Sequence, residues 1–513
     1  MNVAVAVGSA RIPLWQAWCI AALRRQSVLQ VRVVGVAAPQ RARPPRIAGN
    51  ALAPVDVALD DGDVTGADLV VDLSGAAVAA DAPHGVWRLR LGEDDDAALP
   101  FAREIAAGGS TFRTALVRRR GGHDEVLRAG RFAVSRWYPS TLRTALRETA
   151  RWPATLAAAL AAGSNLPALA DDAVPPNAAR ANAAPLGPLS RMRFTASLGR
   201  RLAAGVLTAL LEVDEWNVGL VRGDAAQLLS SEPLDVRWLP DPPSLTYIAD
   251  PFLVERGGVR ALFVETFDYR DERGAIEALV LDENDDIVRR ARVIDIATHL
   301  SYPYPLEIDG QLYLVPENCA GGEVALYRCT SFPDRWEREA ALFPAFDGVD
   351  TTLFPHDGRW WAFCTRYSRG STLALNAFFA GSPRGPWSPH ALNPIVVDVA
   401  SARPGGQPFI VDGALYRPAQ DCSQSYGGGL VIARIDELTP TAYREEIVQR
   451  HDARALGRWN GGIHTVSFAR DRIVIDGKRV YRDVRKLRGV TKRVAGLARR
   501  LLRPRPANEA TFA

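Results

Sequence analysis

Apolar and polar residues are arranged in three textures along this chain of 513 residues. The first begins at once. Val3 to Val7 is an apolar run of strand length, Gly8-Ser9 breaks it, Leu14 to Arg25 has helical spacing, and Val31 to Val36 is apolar again. A further run from Asp68 to Ser74 ends at Gly75. This β-α-β opening predicts a small doubly wound α/β domain over residues 1–140. The second texture fills 141–235: an Ala/Leu-rich helical stretch over 141–162, a linker over 163–188 containing Pro175-Pro176, and a helix near 191–211.

From Val236 to Arg482 short strands, aromatic residues and turn residues take over, and the pattern repeats. Five segments share an opening residue, an apolar strand, a turn position eight residues on and a second apolar strand. They open at Asp250, Tyr302, Asp350, Gly405 and His464, with turns at Gly258, Gly310, Gly358, Gly413 and Arg472. The starts are 52, 48, 55 and 59 residues apart. A period near fifty with hairpin texture predicts a five-bladed β-propeller over 236–482. A β-sandwich with fortuitous spacing is the competing reading. Residues 483–513 form a basic tail in which Val484, Leu487, Val490, Val494, Leu497 and Leu501 recur at helical intervals up to Pro504.

Charge sharpens this division. Between Lys478 and Arg505 stand twelve Lys/Arg and one acid, leaving 50 basic and 57 acidic residues elsewhere, a net of −7. Basic charge is therefore local, and no nucleic-acid partner is expected. A basic amphipathic helix over 484–503 suits an anionic membrane surface; docking on the protein body is the alternative. The five cysteines are scattered without a CxxC pair, no basic segment precedes the first apolar run, and no apolar run reaches membrane-spanning length. These features lead to an expectation of a cytoplasmic protein, attached peripherally at the inner face of the cell membrane if the tail binds lipid.

In a propeller the first strand of each blade lines the central channel, so residues of matched phase ring one mouth. The second strand returns to the same face, seven residues after the turn, at Glu265, Glu317, Thr365, Gln420 and Arg479. Asp250, Asp350, Glu265 and Glu317 are thus expected to converge. A turn cap or strand-end hydrogen bond would explain any one of them. Four at two matched phases suit glycosidic chemistry, where one carboxyl protonates the leaving oxygen and a carboxylate activates the attacking group. Tyr302, Tyr304, Trp360, Trp361, Trp387 and Tyr426 are candidates for stacking on sugar faces, with at least one of the Trp360-Trp361 pair assigned to blade packing. Neither a zinc cluster nor a P-loop nor a dinucleotide fingerprint is present in the sequence, so no metal or cofactor is expected.

The segment Ala249-Asp250-Pro251-Phe252-Leu253 resembles the first-blade motif of the glycoside hydrolase family 43 propellers, which implies Asp250 as general base and Asp350 as the carboxylate that orients the substrate. A more extensive resemblance is to the N-terminal region of the plant glucosamine inositolphosphorylceramide transferases. It rests on His299–Tyr304, Val315–Asn318, Gly322–Arg328, His356–Trp361, Ala402–Phe409 and Leu415–Cys422, and covers most of 236–450. It implies a carbohydrate-active protein of cell-surface glycan or glycolipid biosynthesis. The partner would be a glycan, a sugar nucleotide or a lipid-linked sugar, contacted by His299, Tyr302, Tyr304, His356, Trp361, Arg403, Gln420, Asp421 and His464.

Two departures matter. The family 43 acid has no counterpart, because its place reads Ala402-Arg403-Pro404; Glu317 or Glu265 must then supply the proton. The plant proteins also carry a separate glycosyltransferase domain after this region, which these 513 residues lack, so the transferase activity is not carried over. Glycosidic cleavage or transfer with inversion remains the leading expectation, and a non-catalytic glycan-binding scaffold the alternative. The stretches Gly85–Gly92 and Gly109–Leu116 are similar to the formyltransferase fold, which implies folate-dependent formyl transfer to an amino sugar through an Asn-His-Asp set. No Asn-x-His pairing occurs there and His84 and His123 are isolated, so a retained fold with lost activity is expected and a folate cofactor is doubtful.

Overall fold

The computed structural model describes residues 1–38, 49–92, 99–166 and 187–484. The tail helix expected over 484–503 lies outside them except for Val484.

The N-terminal sheet has six strands in the order Gln30–Gly35, Asn2–Val7, Leu69–Asp72, Val86–Leu91, Thr111–Arg120 and His123–Ala133. The first four run parallel and the last two form an antiparallel hairpin. Helix Leu14–Arg24 lies in the connection between the parallel strands Asn2–Val7 and Gln30–Gly35. The sheet is a mixed α/β layer. Among the described residues, Asp72 is taken up by the Ser74 hydroxyl (2.6 Å) and Arg88 Nε (3.1 Å), and His123 is exposed at the hairpin turn. The stretch read as one helix is two, Tyr138–Thr149 and Trp152–Ala161, with Pro153 in the first turn of the second.

Five sheets of three or more strands radiate in the second half, which makes this part a five-bladed propeller. Blades one to four start at Thr246–Arg256, Ser301–Ile308, Gly348–His356 and Phe409–Val411, and each continues outward by antiparallel neighbours. The fifth is composite. Val466–Ala469 and Arg472–Arg482 pair outward with Glu212–Arg222 and then Arg237–Trp238. The ring is therefore closed by a strand from before residue 236, inside the region read as helix and linker. Arg472–Arg482 and Glu212–Arg222 stay in register over eleven pairs, from Arg472↔Arg222 to Arg482↔Glu212.

The two halves share packing. Leu373, Leu392 and Val397 of the propeller belong to the N-terminal core, Arg128 Nη2 donates to Leu392 O (2.8 Å), and Val399 N donates to Arg131 O (3.0 Å).

Candidate functional site

The first strands of blades one, two and three carry the same irregularity. Register slips between Ala249 and Phe252, between Ser301 and Tyr304, and between Val349 and Thr352. At each slip one non-glycine residue has a positive φ: Asp250 (52°), Tyr302 (44°) and Asp350 (49°). An extra residue in one strand leaves an unpaired N–H and re-aims a side chain, and such strained bulges are characteristic of functional sites.

Each bulge N–H is caught by a carboxylate of the preceding blade. Asp250 N donates to Asp476 Oδ2 (3.2 Å), Tyr302 N to Asp250 Oδ2 (3.1 Å) and Asp350 N to Glu317 Oε2 (3.2 Å). From blade four, Arg403 reaches Asp350 with two bonds (Nε to Oδ2 2.6 Å, Nη2 to Oδ1 3.1 Å), and Gln420 Nε2 adds a third (2.8 Å). Asp250, Asp350, Glu265 and Glu317 are thus brought together, all buried. Part of their work is structural, tying neighbouring blades, as a strand-end role would require.

Their proton affinities are not those of free carboxylates. Burial, above all, pushes Asp250 up to about 6 even though His464 pulls the other way. Burial and the Asp350 charge push Glu317 up to about 8 against the pull of Arg403. Glu265 is raised well above the carboxylate range by burial and by Asp250. It accepts from the Tyr247 hydroxyl (3.2 Å) and lies 3.4 Å from His299 Nε2. Gly274 N donates to His299 Nδ1 (2.8 Å), so the ring proton sits on Nε2, facing Glu265.

At blade five the Thr465 hydroxyl donates to Asp250 Oδ1 (2.6 Å), and His464 Nε2 stands 3.3 Å from that oxygen. His464 Nδ1 is 2.6 Å from Asp476 Oδ2. Burial disfavours charge on this ring, but Asp476 and Asp250 outweigh it and raise its pKa. Asp250, His464 and Asp476 offer ligand atoms within 4.8 Å of one another, enough to hold a cation. A protonated His464 between the two carboxylates supplies the same countercharge.

Sequence reasoning missed Asp476, Trp216, Tyr247 and Lys478. The fifth hairpin turns at Arg470-Asp471, because Ala469 pairs with Arg472, so seven residues past the turn is Lys478 and not Arg479. Lys478 is buried, donates to Tyr426 O (2.5 Å) and lies 5.2 Å from the Trp216 ring centroid. Arg479 points elsewhere, to Glu215. Trp216, on the closing strand, packs against His464 with the ring centroids 4.1 Å apart and the planes tilted by 36°.

Several expected contacts do not reach the funnel. Tyr302 and Tyr304 are buried, their hydroxyls spent on Thr352 Oγ1 and Leu353 O (both 2.8 Å), because the bulge turns them into blade packing around Phe252. Trp361 is core between blades three and four, and Trp360 and Trp387 pack in the neighbouring cluster. His356 lies at the far hairpin end, paired with Arg359. Asp421 caps the next turn through Ser423 N (2.9 Å) at the rim. Among the candidate aromatics Tyr426 stays accessible: it is 41% exposed and its ring centroid lies 5.0 Å from the Arg403 guanidinium carbon.

Residues 241–469 match the family model described as glucosamine inositolphosphorylceramide transferase 1, N-terminal. The chain is similar to the glucosamine inositolphosphorylceramide transferase 1 of Oryza sativa subsp. japonica, 37% identical over 224 residues, 42% of this chain and 30% of the relative. Its similarity to the Arabidopsis thaliana protein of that name is 31% over 276 residues, 48% of this chain and 36% of the relative. The chain thus spans about a third of the length of these curated relatives. Among solved structures, a β-xylosidase is similar at 13% identity and a TM-score of 0.34, covering 42% of this chain and 80% of that one. A glycoside hydrolase family 43 enzyme from Xanthomonas citri is similar at 13% and 0.36, covering 45% and 82%. The resemblance to the plant transferases read from the motifs holds over residues 241–469.

Proposed function

We propose that the propeller acts on a glycosidic bond of a glycan or lipid-linked sugar in cell-surface glycan assembly. What carries this reading is the convergence in one funnel of four buried carboxyls at and opposite the strand bulges, where burial raises Asp250 to about 6 and burial with the Asp350 charge raises Glu317 to about 8. Environments that separate two carboxyl groups in this way divide base from acid. At neutral pH Asp250 is ionised and accepts the proton of an incoming water or acceptor hydroxyl as its oxygen bonds the anomeric carbon. Glu317 retains its proton and delivers it to the departing glycosidic oxygen, so attack and departure occur on opposite faces with inversion. Arg403 and Gln420 hold Asp350 as the fixed orienting carboxylate, and Tyr426 offers a face to the sugar. The N-terminal sheet serves as a structural partner of blades three and four.

Turnover should rise as pH passes about 6, where Asp250 loses its proton, and fall as pH passes about 8, where Glu317 does. Glu317→Gln should lower turnover and remove the alkaline limb, whereas Glu265→Gln should keep both limbs. A Glu317→Gln profile with the alkaline limb intact excludes Glu317 as the acid.

One observation favours a second reading, a binding-only propeller: a guanidinium saturates the orienting carboxylate where the family 43 proteins place an acid. Calorimetry with a panel of glycans, followed by product analysis, separates the two. Binding without new products selects the second.

A further inference from the structure

Against the described residues, helix Pro188–Leu211 packs along one face. Its buried positions are Phe194, Ser197 and Gly205. Phe194 meets Tyr138 edge-on at 5.2 Å, Arg201 donates to Gly109 O (2.6 Å), and Arg136 donates to Gly205 O (3.2 Å). At 3.6 residues per turn, Leu189, Met192, Leu202, Val206 and Leu207 share an arc of about 140° on the opposite side. That arc faces solvent: Leu189 is 55%, Met192 62%, Leu202 49% and Val206 53% exposed. Arg191 borders the arc on one edge and Arg193 and Arg200 on the other, and no Asp or Glu occurs in residues 188–211. A helix on a water-facing surface carries charge outward; this one carries apolar side chains outward between cationic edges.

Two neighbours extend the pattern. Trp137, also 55% exposed, follows the Arg136 that is bonded to the helix, and tryptophan favours a boundary between apolar and wet surroundings. At the other end Asp483 N donates to Leu211 O (2.8 Å), so the chain leaves the propeller beside the helix C-terminus. In sequence, Val484 to Arg505 holds nine Lys/Arg and no acid.

We propose that this outward face seats the protein on an anionic lipid surface, with the apolar arc in the boundary between headgroups and acyl chains and the arginines among the headgroups. A second copy of the chain fits the arc poorly, because two such faces would set arginine against arginine. Leu211 leads directly into strand Glu212–Arg222, and Trp216, five residues on, packs against His464 in the funnel. Five extended residues span about 17 Å, so seating would bring the funnel within reach of sugars borne on lipid headgroups. That last consequence rests on the glycan reading above; the seating does not.

Flotation of the full chain with phosphatidylcholine vesicles, and with vesicles enriched in phosphatidylglycerol, tests the proposal. The wild type should float with the anionic vesicles and weaken as salt is raised. Leu202→Asp/Val206→Asp, with both substitutions on the exposed arc, should keep the wild-type unfolding midpoint and lower the partition coefficient about tenfold or more. Arg191→Glu/Arg193→Glu should do likewise and flatten the salt dependence. The proposal is overturned if the wild type does not float. It is equally overturned if the apolar variant floats as the wild type does, or if that variant instead splits a dimer that never bound vesicles. Turnover is not read, so a failed glycan assignment would leave this result standing.

Discussion

Arg403→Leu should lower the unfolding free energy by about 3–5 kcal/mol, the usual cost of leaving a buried charge without its partner. Arg403 donates to both oxygens of Asp350 and lies 3.7 Å from Glu317 Oε2, with all three side chains buried. The loss should depend on pH in a defined sense. Removing the cation raises the folded-state pKa of Glu317 further, because Arg403 is what pulls it down. A raised folded-state pKa costs nothing below the unfolded value and costs progressively more as pH rises through the folded one. The variant should therefore be closest to wild type near pH 4 and most destabilised above pH 8, the region where Glu317 titrates. Arg403→Lys should recover part of the difference, since one ammonium cannot reproduce the two-pronged bond. Urea midpoints across this range test it; a pH-independent loss would mean that shape and not charge is what Arg403 supplies.

The second large effect is at Gly406, where blades four and five meet. Its φ is 129°, it bridges to Val466, and an added Cβ would overlap Val466 O and stand 2.8 Å from the Val466 carbonyl carbon. Both atoms are backbone, so a neighbouring strand must move. Gly406→Ala should cost roughly 3–5 kcal/mol, from strain at a glycine-only conformation together with a lost blade contact. Gly413, at a blade-four turn with φ 77° and nothing within 4 Å of an added Cβ, is the control. Gly413→Ala should cost only about 1–2 kcal/mol. Equal losses at the two positions would show that the blade junction tolerates the shift.

The parts of the site visible in the sequence were those with a fixed distance to a glycine turn. Gly258, Gly310, Gly358 and Gly413 mark four hairpins, and counting from them finds Glu265, Glu317, Asp250 and Asp350. The fifth hairpin turns on Arg470-Asp471, residues that do not announce a turn, so the count slipped by one and missed Lys478. Asp476 follows no counted phase, and Trp216 was hidden because its strand lies before the first repeat, next to a helix. Tyr302 and Tyr304 failed for another reason. Alternation along a strand predicts which way a side chain faces only while the register is regular, and the bulge at Tyr302 inverts it. In the N-terminal half, strand and helix positions followed the apolar pattern closely, since Val3–Val7, Leu14–Arg25 and Val31–Val36 differ from the observed elements by a residue or so. Chemistry could not be read there because Asp72 is tied up by residues near it in sequence.

The composite fifth blade sets a timetable for the newly made chain. Trp216 and its partner Lys478 are 262 residues apart, so at ribosomal rates Glu212–Arg222 emerges roughly 10–50 s before the strand that will cover it. Throughout that interval it is an uncovered β-edge, a template for pairing with other chains. The Glu212, Asp214 and Glu215 carboxylates at its start hold acidic charge on that edge and discourage such pairing. Blades one to four can form in order as they are made, whereas Asp476, His464 and Lys478 arrive only with the last strands. The funnel is therefore assembled in a single closing event once the strand Arg472–Arg482 has been made, and a chain cut between residues 452 and 464 has four blades but lacks His464, Asp476 and Lys478.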